Sequence, residues 1–132
     1  MPYPLAMIVC DGLWRDPYTG KTTIIGTFST IGGRSFPLRH PHLSVYVSLT
    51  DGHGKMTIRL ELVDVDEVRP PILSLSEEFD FNDPRMIFEI CYFAPNIVFP
   101  SDGEYRLKLI AREEFIIERR ILVVDTTRSD LE

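Results

Sequence analysis

Met56-Thr57-Ile58-Arg59-Leu60-Glu61-Leu62 alternates without a break: positions 56, 58, 60 and 62 are apolar, and Thr57, Arg59 and Glu61 fall between them. Successive residues of an extended chain point to opposite sides, so a period of two marks a strand with one buried and one wet face. Strands of that kind belong to antiparallel sheets. Upstream, Leu43, Val45, Val47 and Leu49 repeat the pattern, and Asp51-Gly52-His53-Gly54 between the two runs reads as a hairpin connection. Downstream, Tyr105, Leu107 and Leu109 repeat it again, with Arg106 and Lys108 on the opposite face. No window of helical length carries a stripe of period about 3.6 residues.

Turn-forming residues punctuate the remaining runs. Pro17-Tyr18-Thr19-Gly20, Arg69-Pro70-Pro71, Asp83-Pro84 and Pro100-Ser101-Asp102-Gly103 each interrupt an apolar stretch, because proline lacks the amide a sheet ladder needs and glycine and aspartate favour turns. A tight turn near Arg112–Glu114 precedes the last run. The reading predicts about eight strands, near 5–11, 22–30, 43–50, 55–64, 72–81, 85–93, 104–111 and 115–124. Gly32–His42 is the longest irregular connection and a crossing point between sheets. Short strands at close spacing without helices predict an all-β, antiparallel two-sheet β-sandwich, immunoglobulin-like or C2-like in kind. One domain over residues 1–125 is expected, with a polar tail at 126–132 that frays.

Composition agrees with a self-sufficient core. With 132 residues, 44% hydrophobic and 26% charged, the chain is neither disordered nor fibrous. A net charge of −6 argues against nucleic acid and anionic lipid as partners. The start Met1-Pro2-Tyr3-Pro4 has no positive n-region, and the apolar run Leu5–Cys10 is too short to span a bilayer, which predicts a cytoplasmic protein. Cys10 and Cys91 each sit in a strand-like run, so two buried, reduced thiols are expected.

Reactive constellations are sparse. There is no GxSxG elbow and no HExxH, and Thr19-Gly20-Lys21-Thr22 is followed by strand character, not by a helix N-terminus that could hold phosphate. Glu77-Glu78 and Glu113-Glu114 are adjacent pairs, whose side chains diverge in a strand. No catalytic residue and no cofactor is assigned. His40-Pro41-His42 places two imidazoles on one side of an extended stretch, which leaves a metal-dependent enzyme as an alternative. Asp64 and Asp66 leave a strand at i, i+2, with Glu67 beside them, and calcium takes hard oxygen ligands from such loops. Asp51 adds a third ligand if its turn lies at the same end.

Asp64-Val65-Asp66 resembles the calcium loops of C2 domains, which implies a calcium-binding module as an alternative function and membrane contact only when calcium is bound. Gly103-Glu104-Tyr105 resembles the tyrosine corner of immunoglobulin-like sandwiches, where the phenol hydroxyl bonds back to the main chain. Over its length the chain resembles a family of small uncharacterised bacterial β-sandwich proteins. The likeness is carried by Ile8-Val9-Cys10-Asp11, by Gly20-Lys21 leading to Ile24-Ile25-Gly26-Thr27-Phe28, and by Phe99–Leu109. It implies a cytosolic sandwich and no catalytic residue. Gly26 should allow a bulge or a close backbone approach.

Two runs are apolar on both faces, Leu5–Cys10 and Met86–Phe93, so each must cover its second face with its own chain or with a partner. Trp14 and Tyr18, beside Arg15 and Asp16, have the composition of an interface hot spot. The expectation is a non-catalytic module working through a protein partner or self-association, using Trp14, Tyr18, Ile87, Cys91 and Phe93.

Overall fold

The computed structural model describes residues 1–66 and 68–127. Among the described residues nine strands follow one another: β1 (Tyr3–Arg15), β2 (Thr22–Thr27), β3 (Thr30–Gly33), β4 (Leu38–Thr50), β5 (Gly54–Asp64), β6 (Leu73–Phe81), β7 (Phe88–Phe99), β8 (Gly103–Ala111) and β9 (Glu114–Asp125). No helix occurs among the described residues. A four-stranded sheet in the order β2-β1-β4-β7 packs on a five-stranded sheet in the order β3-β9-β8-β5-β6. The alternating runs do what their period requires. Leu43, Val45, Val47 and Leu49 of β4 are fully buried, as are Ile58, Leu60 and Leu62 of β5 and Leu107 and Leu109 of β8. All of them meet in one core between the sheets.

Three departures from the sequence reading have physical causes. The run expected as one strand over 22–30 divides at Phe28 and Ser29, and β3 leaves the first sheet to pair in parallel with β9, Thr30 opposite Leu122. A nonlocal parallel partner leaves no turn signal to read. The segment expected as an irregular connection is then mostly strand: the crossing is confined to 34–37, and His40 and His42 lie in β4 opposite Ile97 and Pro95. β7 also starts later and runs further than expected, through Pro95, because it is an edge strand and an edge tolerates a missing amide.

The Gly-x-Tyr corner closes as expected. The Tyr105 hydroxyl donates to the Ser101 carbonyl at 2.6 Å, and its buried ring meets Phe99 edge-on at 5.0 Å. The tail expected to fray is fixed at its first residue, where the Thr126 amide donates to the Gly33 carbonyl at 2.9 Å. Residues 128–132 and Glu67 lie outside the described residues.

Candidate functional site

β1 serves two neighbours in turn. Tyr3–Cys10 pairs with β4, and Cys10–Arg15 pairs with β2. If β1 ran straight, its register would carry Arg15 level with Arg39 of β4 and Val98 of β7. Instead the Arg15 guanidinium lies 3.4 Å from Glu89, near the opposite end of β7. The β1–β2 hairpin therefore folds back over the outer face of β4 and β7. A shared hollow shows this: Gly12 and Leu13 line a cavity of about 220 Å³ with Ser44, Cys91 and Phe93.

This fold-back covers the Cys10 end of the first doubly apolar run, whereas Leu5 at its start stays exposed. Cys10, on the outer face of the sheet, is fully buried, and its thiol donates to the carbonyls of Gly12 (3.4 Å) and Ser44 (3.6 Å). Burial pushes the Cys10 thiol pKa up. The second run is left open. Phe93 is 62% exposed and Ile87 59%, and Cys91 is exposed as well, which corrects the expectation of two buried thiols. An edge strand lacks a neighbour to cover its outward side chains.

Glu89, the one charge in β7, ties the hairpin down. It accepts hydrogen bonds from the Tyr46 hydroxyl and from Thr22 Oγ1 (3.4 Å), with Arg15 alongside. Burial, and then the bond to Glu89, push the Tyr46 pKa up to about 12. Sequence reasoning did not pick out this node. Its only trace was a lone carboxylate in an apolar run, which needs a donor wherever it is covered.

The expected interaction residues lie on this side of the molecule. Trp14 (53% exposed) is on the hairpin's outward row, Tyr18 (96% exposed) is at its tip, and Ile87, Cys91 and Phe93 follow the β7 edge. His42 stacks on Phe93 at 6.2 Å. At the Pro95 end of β7 opens a concavity of about 620 Å³, lined by Pro37, Pro70, Pro71, Pro95 and Ile97 among others.

The acidic residues assemble differently from the expectation. Asp64 and Asp66 share a cleft of about 310 Å³ with Asp102, Glu104 and Arg69, but Asp51 sits beyond the other end of β5. At roughly 3.3 Å per residue, β5 keeps Asp51 about 30 Å from Asp64, so the two cannot share an ion. Asp64 Oδ1 accepts from the Val68 amide at 3.3 Å, as a turn-forming aspartate does. Glu104 is paired with Arg106 at 2.7 Å. Among the described residues, no three His, Cys, Asp or Glu side chains group as metal ligands.

His40 lies against Phe28, with ring centroids 5.6 Å apart, and its Nε2 is buried without a partner among the described residues. Desolvation lowers its pKa, opposed by the charge of Asp11 and reinforced by that of His42. A histidine whose folded pKa is depressed binds its proton more readily when unfolded. Stability is therefore full above the unfolded pKa near 6.5 and declines as the pH falls through it. Urea midpoints measured from pH 7.5 to 5 should fall, and His40→Gln should flatten that fall; an equal slope in both proteins would contradict the assignment.

No curated protein matches the chain. A family of unknown function, DUF6941, matches residues 5–124, which takes in every strand but the outermost residues of β1 and β9, and the chain belongs to that family.

Proposed function

We propose that this domain is a non-catalytic interaction module that binds protein through the hairpin and β7 face. The observation that carries the reading is the open run leading into and along β7: Met86, Ile87 and Phe93 stay exposed, whereas Met7, Val9 and Cys10 of the run on β1 are buried by the chain itself. Trp14 and Tyr18 of the β1–β2 hairpin are exposed too, and aromatic residues dominate binding energy at interfaces. The apolar concavity beside Pro95 extends the same surface. An acidic chain of net charge −6 favours a protein partner over nucleic acid.

Phe93→Ser removes an exposed ring without touching the core. A partner retained stoichiometrically by the wild type should bind this variant at least tenfold more weakly, about 1.4 kcal/mol, while the melting temperature stays unchanged. Undiminished binding to Phe93→Ser, and to Trp14→Ser, would defeat the reading.

A further inference from the structure

We propose that two copies of this chain join through their β7 edges, in an antiparallel pair centred on Cys91. This rests on the reading of the β7 face as a binding surface and names its occupant.

Main-chain direction supplies the first argument. In an antiparallel sheet the N–H and C=O of one residue point to the same side, and successive residues alternate. The Met7 carbonyl accepts from Arg119 Nε (2.9 Å) and the Val9 carbonyl from the Phe28 amide (3.2 Å), so odd residues of β1 face away from β4. Ile8 and Cys10 then bond to Tyr46 and Ser44, which leaves Val45 and Val47 to bond to Tyr92 and Ile90. Glu89, Cys91, Phe93 and Pro95 thus direct their main-chain groups to the far side of β7, where no strand lies among the described residues. Pro95 suits that side, having no amide to leave unpaired.

The other edges are blunted. β3 is four residues long, β2 is broken by left-handed Gly26, and β6 carries Glu77 on its inward row opposite buried Ile58. An inward-pointing charge deters strand addition. β7 carries no such device between Phe88 and Ala94.

The identity of the occupant follows from the symmetry of the edge. A twofold axis at Cys91 sets Glu89 opposite Phe93 of the second copy and uses both main-chain groups of all the free residues up to Pro95. An axis at Glu89 would oppose two carboxylates, and one at Phe93 would spend its outer pairs on Pro95. The Cys91 register also brings Met86 and Ile87, which protrude just before β7, toward the Pro95 end of β7 in the second copy, at the lip of the 620 Å³ concavity. Each copy offers a knob at one end and a hollow at the other, equally far from Cys91, which is the self-complementarity a twofold interface requires. The seam has no like-charge contact, because Glu89 is countered by Arg15. Glu77, Glu78 and Asp80 lie on the second sheet along the same side, as the contacts of Phe79 and Phe81 with Phe88 show. Their repulsion across the axis should be screened by salt.

Light scattering on a sizing column tests this. The wild type should elute at twice the monomer mass, with more dimer in 0.5 M than in 0.05 M salt, about a threefold change in Debye length. Cys91→Asp and Cys91→Lys should each be monomeric, because position 91 faces itself, and an equimolar mixture of the two should return to dimer. Rescue by mixing also excludes misfolding as the cause of dissociation. A wild type that stays monomeric at high concentration, or single variants that stay dimeric, would overturn the pairing. In that event the Phe93→Ser binding experiment still judges the wider reading independently.

Discussion

Leu60→Ala should destabilise the domain by about 3 kcal/mol. Leu60 is fully buried in β5, which lies between β6 and β8, with Leu75 on one side and Leu109 on the other in register. Both neighbours are held in place by their own ladders, so the void left by the lost methyl groups cannot collapse, and the transfer and cavity contributions add. For a domain of this size the melting midpoint should drop by roughly 10 °C. In urea the midpoint should fall with the slope unchanged, since the surface exposed on unfolding is the same. Leu122, 39% exposed on β9, provides the contrast: its alanine variant should lose less than about 1 kcal/mol. Equal losses at the two positions would mean that the core does not lie between the sheets as described.

The second large effect is expected at Gly26. Its φ is +66°, a left-handed conformation, and a Cβ placed there would lie 2.5 Å from Asp11 Oδ2 and 3.1 Å from the carboxyl carbon. Gly26→Ala should therefore cost about 2 kcal/mol, of which roughly half is conformational and the rest is displacement of Asp11. Asp11→Ala in the same chain should recover the steric share and leave the conformational one. A double-mutant cycle in urea reads the coupling directly. Strictly additive losses would mean that Asp11 does not press on Gly26.

The close approach at Gly26 was readable from the residue type alone, while its partner was not, because Asp11 reaches it only through the β1–β2 pairing. The same division runs through the molecule. Alternation in 43–49, 56–62 and 105–109 assigns each side chain to a face, and those strands stand where the period puts them. Trp14, Tyr18, Ile87 and Phe93 are exposed. The break at Phe28 and Ser29 could not be read, since no proline or turn cluster marks it and its cause is a strand near the other end of the chain. The fold-back of the hairpin was equally hidden: it depends on Glu89, Tyr46 and Thr22 meeting in space. The separation of Asp51 from Asp64 could have been foreseen, because a single strand joins them and a strand keeps its two ends apart.

The parallel pairing of β3 with β9 bears on how the chain reaches its native state. Thr30 finds Leu122, and Met7 finds Arg119, only after nearly the whole polypeptide has been brought together. Closing loops of that length comes before any reward from the contacts, which places the domain among the slower folders of its size. During synthesis, β8 and β3 both wait with bare flanks until β9 emerges from the ribosome to fill the gap between them.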